Sequence, residues 1–516
     1  MKKKNFILNA MFLTLTSLIN MGIGMAFRIY MSNKIGAECI GLYQLIMSIY
    51  IFATTFSTTG VSLTVTRLVT DYSANNQFFK AKKVVNKCLT FGVLISIITG
   101  ILLFLFSPQI SLYVLKDKRA LLSLRILSFG LPFVAISSCF RGYFYAIRKV
   151  IKTASEQLLE QIIEIVIFII LIQKLAPLGI DYSCAAIVIG TTVSEFISCI
   201  YSYILYLYDV KWSSFPMPKV KESFFSILSI FLPLTASASL RSGLSTIENI
   251  LIPDGLKKYG SSNQKALSVY GTIVGMVLPI IYFPTLVLAS FSMLLIPEMS
   301  EANAVHHKKN ISYMASRVLK LTLIFSIAVM SLLMFFSSDI GTLIYSNAEC
   351  GIYLSILAPL VPLMYLDKIV DGMLKGLNEQ LHYLSYNIID SITRVILIFA
   401  LIPRIGIAGL IIMTFVSTIL NSSLSIARLL KVANVKIHLW DWILSPLTCS
   451  FFSILNLKIT LKFITFNSLL VQTTIESLLF IVVYSVMLII IGCISKEDMN
   501  WFKRIIKIRK KETSTT

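Results

Sequence analysis

The chain has 516 residues, 56% of them hydrophobic and only 14% charged, with a mean hydropathy of +0.82. A soluble chain carries about a quarter charged residues, so this composition excludes a water-soluble enzyme and specifies an all-α polytopic membrane protein. The net charge of +21 is spread between apolar runs rather than gathered in one patch, which excludes nucleic acid as a partner and marks topology and anionic-lipid contact.

Apolar stretches long enough to span a bilayer recur near residues 6–30, 42–66, 88–106, 121–147, 155–174, 184–207 and 223–252. They continue near 268–296, 313–337, 351–376, 383–403, 406–430, 442–463 and 468–494. That makes about fourteen helices, each near the ~20 residues a membrane requires. The opening MKKKNFILNAMFLTLTSLIN starts like a signal peptide but lacks a small-residue cleavage site, so it reads as a retained first helix. Lys and Arg gather in the loops on the N-terminal side and in the C-terminal tail, which predicts a cytoplasmic location for both termini. Two basic stretches run against that pattern, Lys116–Arg119 and Lys257–Lys258.

Each charge inside an apolar run costs about 2.5–3.5 kcal/mol at mid-bilayer, so it needs an interior partner or cavity. Arg28 closes the first span and Arg67 the second. Arg141 precedes a basic turn, after which Glu156, Glu160 and Glu164 recur every four residues on one helix face. Thr153 to Glu156 reads as a capping box, which would place Glu156 at a helix start. Glu160 and Glu164 lie deeper and need cations or protons: Arg141 on the preceding helix is one expected partner, and protonation is the alternative. Glu195 is a fourth acid, in the middle of the sixth span. Arg241 stands deep in the seventh span, with Glu248 two turns on, and is the leading candidate for binding an anionic head group. Later, Asp367, Asp371 and Lys375 share one face, and Asp390 pairs with Arg394 at the same four-residue spacing. These residues are expected to form an ion-pair scaffold or to line a cavity.

The stretch RGYFYAIRKVIKTASEQLLEQIIEI (141–165) returns as DGMLKGLNEQLHYLSYNIIDSITRVILIF (371–399). Gly142 corresponds to Gly372, Ser155 to Ser385, Glu160 to Asp390 and Glu164 to Arg394, each at an offset of 230 (372 − 142). Pro132 and Pro362 share the offset, as do Gly41 and Gly271. Such internal symmetry is a transporter signature. The expected organisation is a six-helix lobe at 1–210, a linker at 211–222, a second six-helix lobe at 223–435, two further helices at 436–495 and a basic tail at 496–516.

No P-loop, zinc-protease or nucleophile-elbow motif occurs. The eight cysteines form no C-x-x-C and read as small core residues, and the four histidines have no partner ligands at helical spacing. No enzymatic activity, cofactor or metal is expected.

The stretches SNKIGAECIGLYQL (32–45), 141–165, IENILIPDGL (247–256) and LIPEMSEA (295–302), in this order and spacing, resemble the multidrug/oligosaccharidyl-lipid/polysaccharide (MOP) flippase superfamily. Within it the chain is most similar to the stage V sporulation protein B group, which is related to lipid II flippases and polysaccharide exporters. The resemblance implies a flippase of the cytoplasmic membrane. Its substrate would be a polyprenyl-pyrophosphate-linked saccharide, such as a peptidoglycan precursor, with a role in spore cortex synthesis. It further implies a monomer whose partners are that lipid, the surrounding membrane and envelope-synthesis enzymes. Lipid II flippases carry several arginines on their first, second and eighth helices. Here the first has only Arg28, the second none before Arg67 and the eighth none, which shifts phosphate binding to Arg28, Arg241 and Arg67. The alternative is a cation-coupled multidrug antiporter, which requires an acid on the first helix; residues 6–30 contain none.

Overall fold

The computed structural model describes residues 2–75, 77–211, 224–435, 437–460 and 468–493. The expected linker beyond Lys211 and the basic tail lie outside them. Among the described residues every regular element is helical. Packing divides the chain into two compact units, Lys2–Gly271 and Thr272–Thr516.

The first unit holds α1 (Lys2–Ala74), α2 (Phe78–Gln109), α3 (Ala120–Ala146), α4 (Val150–Leu175), α5 (Ile180–Lys211), α6 (Phe224–Lys258) and α7 (Asn263–Tyr270). Helices α6 and α7 thus pack with the unit that precedes the 211–222 linker. The polar stretch expected to separate the first two spans is itself helical. α1 is interrupted only at Gly36, with φ 76° and ψ 171°, a conformation that side-chain-bearing residues avoid. On one side of Gly36 the chain follows α4, with Phe27 and Tyr30 edge-on to Phe168. On the other it follows α5, with Cys39 against Cys184 and Tyr50 against Glu195. Because α4 and α5 are antiparallel neighbours, Gly36 reverses the chain within a single residue.

A π-helical turn, Gly271–Val277, spans the boundary, and the second unit continues with α8 (Leu278–Tyr282), α9 (Thr285–Ala304), α10 (Lys308–Phe335), α11 (Ser337–Tyr345) and α12 (Ala348–Leu357). It continues through α13 (Val361–Gly376), α14 (Gln380–Ile405), α15 (Ile407–Ala433), α16 (Ser445–Thr460) and α17 (Leu469–Ile490). The single span expected at 268–296 is broken into short helices. Pro279 falls in the first turn of α8 and Pro284 caps α9, where each removes a backbone donor that an unbroken helix would use. α16 and α17 dock on α10 through Phe480, Leu457 and Leu488, and the Tyr484 hydroxyl donates to the Ile324 carbonyl at 3.0 Å.

Ten of the described helices are long and apolar enough to cross a membrane, the longest running from Thr16 to Ser73 through the Gly36 reversal. Side chains such as Leu470, Val482 and Ile490 are 58–72% exposed, an apolar surface that lipid rather than water must cover. All eight cysteines are buried.

The repeat is visible in the packing of each unit. A Cβ on Gly142 would meet the backbone of Ser62, and a Cβ on Gly372 would meet Ser292. Ser62 and Ser292 are themselves 230 residues apart (292 − 62), so both units use the same glycine-on-serine crossing.

Candidate functional site

Four carboxylates of the first unit converge between α1, α3, α4 and α5. Their spacing places Glu156, Glu160 and Glu164 on the α4 face turned toward α5. Ser198 Oγ donates to Glu156 Oε1 at 2.9 Å and to Glu160 Oε2 at 3.3 Å. Arg141 Nη1, from α3, lies 3.6 Å from Glu156 and 3.7 Å from Glu160. Glu164 accepts from Thr191 Oγ1 at 2.8 Å rather than from Arg141. The Tyr50 hydroxyl donates to the Glu195 carboxylate at 2.7 Å. Glu156 and Glu195 are buried, with 1% and 7% exposure. Arg28 is half-buried and lies within electrostatic reach of the Tyr43 hydroxyl, as do Glu164 and Glu195.

The capping box is not formed. α4 starts at Val150 with Lys149 before it, so Thr153 and Glu156 lie inside the helix, and Glu156 is held by α3 and α5 instead. Among the described residues Arg141 is the one cation within ion-pair distance of these four acids. The cluster is therefore short of positive charge in a medium that penalises unpaired ions.

The second unit is balanced differently. Asp371 takes Lys375 Nζ at 2.8 Å, Asp390 takes Arg394 Nε at 3.1 Å and the Ser417 hydroxyl, and Asp367 accepts from Asn421 at 3.3 Å. A further pair, Arg428 to Glu379 at 2.8 Å, was not anticipated. Its signal was the offset of 230: Glu379 stands where the first copy has Lys149, and Arg428 where it has Ser198. Arg67 and Arg241 are exposed, and neither forms an ion pair among the described residues; Glu248 lies near the Tyr270 hydroxyl.

The two anomalous basic stretches meet at the end of the first unit where the chain reverses at Gly36. Arg119 forks onto Asp117 at 2.8 Å and reaches Glu38 at 2.7 Å, and Asn263 donates to Asp117 at 2.9 Å. Lys116 and Lys258 share Asp254, Lys258 at 3.1 Å. Burial alone would raise the Asp117 carboxyl, but hydrogen bonds from Arg119 and Asn263 outweigh it and hold the group below its ordinary value. Glu38, Asp117 and Asp254 partly neutralise this basic surface.

Residues 6–260 match the sequence profile of the polysaccharide biosynthesis protein family. The chain is 26% identical to stage V sporulation protein B of Bacillus subtilis (strain 168) over 453 residues, covering 86% of this chain and 87% of that protein. Among solved structures, lipid II flippase MurJ in an inward closed conformation superposes with a TM-score of 0.67 at 15% identity, covering 92% of this chain and 98% of that one. The two chains share one fold. An inward-facing multidrug transporter of the MOP superfamily gives a TM-score of 0.61 at 15% identity, over 83% of this chain and 99% of that one. The MOP fold as built by the multidrug transporter thus accounts for less of this chain than the lipid II flippase does.

Proposed function

We infer that the chain is a flippase that moves a polyprenyl-pyrophosphate-linked saccharide, a precursor of peptidoglycan or another envelope polymer, across the cytoplasmic membrane. The observation that carries this reading is the coverage: the flippase fold extends over 92% of the chain, and the sporulation protein aligns over 86% of it. Transport would proceed by alternating access of two lobes, 1–210 and 223–435, with both termini cytoplasmic and the helices at 436–495 appended. The chain acts as a transporter, without enzymatic chemistry, and works as a monomer beside the enzymes of envelope synthesis.

Arg241, exposed and outside any ion pair among the described residues, is the cation assigned to the pyrophosphate, with Arg28 and Arg67 as secondary sites. Glu160 and Glu164, in a cluster short of cations, are assigned to charge coupling. Arg141, Glu156, Glu195, Asp367, Asp371, Lys375, Asp390 and Arg394 hold helices in register. The test is complementation of a bacterium depleted of its lipid II flippase: growth is expected with the wild-type chain. Efflux of cationic dyes without rescue would favour the antiporter alternative.

A further inference from the structure

A groove separate from the acid cluster runs between α1, α2 and α6, with a volume of about 690 Å³. Its walls are hydrocarbon and aromatic: Phe52 and Phe56 from α1, Leu102 and Phe106 from α2, Tyr113 just beyond α2 and Ile247 from α6. All six are exposed. Along α2 and the π-helical turn Ile110–Val114 that follows it, the lining runs from Thr99 to Val114, about 22 Å at ~1.5 Å per residue. That exceeds half of the ~30 Å hydrocarbon core, so the groove follows one leaflet to its surface.

At that surface stands the basic cluster. Lys116 lies two residues past Val114, and Asp254 lies two turns past Ile247 on the same face of α6. Lys116 and Lys258 both reach Asp254, and Lys257 lies within electrostatic reach of Asp254 and Lys116. Three ammonium groups against one carboxylate leave a surplus of two positive charges (3 − 1). Adding Lys118, Arg119, Asp117 and Glu38 leaves the same surplus (5 − 3). An apolar slot along one leaflet, closed at the water interface by a cluster with a net surplus of positive charge, is complementary to a lipid with a multiply charged phosphate head. A singly charged phosphodiester would leave one ammonium unmatched, whereas a pyrophosphate matches both.

We propose that this groove and its lysine rim bind a polyprenyl pyrophosphate lipid in the leaflet opposite the N-terminal side, where the saccharide is delivered. The inference rests on the flippase reading and adds a second lipid site to it, distinct from the Arg241 site. Binding of a long-chain polyprenyl pyrophosphate to the purified full chain in nanodiscs tests it, with phosphatidylglycerol as competitor. Three variants accompany the wild type: a triple Lys116→Ala, Lys257→Ala, Lys258→Ala chain, Leu102→Trp to fill the slot, and Asp254→Asn to remove the competing carboxylate. At roughly fivefold per lysine near a charged lipid head, the triple variant should bind on the order of a hundredfold more weakly. Leu102→Trp should weaken binding with the rim intact, and Asp254→Asn should strengthen it, an outcome that a purely structural ion pair does not produce. Equal binding by all variants, or displacement by phosphatidylglycerol at matching concentration, overturns the proposal. If the variants bind as wild type while the wild type still flips lipid, only this site is refuted. If binding follows the rim but no lipid crosses the membrane, the flippase reading fails and the site stands.

Discussion

Tyr50 and Glu195 show how a membrane interior disciplines single residues. The carboxylate is buried, and the Tyr50 hydroxyl bonds both of its oxygens. Tyr50→Phe keeps the ring and removes the donor, so it should cost about 1–3 kcal/mol, the penalty for orphaning a buried polar group. Thermal unfolding in detergent measures this; a variant as stable as wild type would mean that Glu195 has another donor. Asp117 gives a pH prediction. Its carboxyl is held below the ordinary value, so its contribution is complete above the unfolded value, near pH 4, and is lost as pH falls through the folded one. The loop joining α2 to α3 should therefore keep its hydrogen-exchange protection from neutral pH down to about pH 4 and lose it below. In Asp117→Asn that acid step should vanish, and a step unchanged by the substitution would assign it to another group.

At the scale of elements, the second half of α1 crosses the C-terminal end of α7, where Gly41 meets Gly271. A Cβ on Gly41 would strike the Leu267 carbonyl, and one on Gly271 would strike the Ala37 carbonyl. Leu267 and Ala37 also differ by 230, so the contact is reciprocal, each repeat presenting the same glycine to the other. Gly41→Leu should force the helices apart at a cost of about 1–3 kcal/mol and open buried Cys39 to a membrane-permeant thiol reagent. Gly22→Leu, where nothing lies within 4 Å, should not. Unchanged protection of Cys39 in Gly41→Leu would show that the crossing yields without opening.

Much of this was legible beforehand because glycines and prolines that recur at one offset report packing directly, as Gly142 on Ser62 and Gly372 on Ser292 do. Other features were hidden for physical reasons. Residues 31–41 fall between two predicted spans, yet only Gly36 departs from helical geometry. Thr153 to Glu156 has the letters of a cap, but the helix had already begun at Val150, so tertiary partners and not the helix end hold Glu156. Ion pairs across distant loops, such as Arg119 to Glu38, leave no periodic trace.

For the whole molecule, two charge distributions on one repeated frame are the main result. The first unit gathers four acids of which only Glu156 and Glu160 lie within ion-pair distance of Arg141, while in the second each of Asp371, Asp390 and Glu379 has a cation of its own. A carrier of an anionic head group requires an available cation beyond such paired ones, and Arg241 is the residue assigned to that role. The most direct test is the appearance of a fluorescent polyprenyl-pyrophosphate-linked saccharide on the far leaflet of proteoliposomes, measured for wild type and for Arg241→Ala incorporated to the same level. Wild type should transfer the lipid, and the variant should lose at least about tenfold, since a desolvated charge-assisted contact contributes about 1.5–3 kcal/mol. Equal transfer by both proteins would contradict the assignment of Arg241, and no transfer by wild type above protein-free liposomes would contradict the function itself.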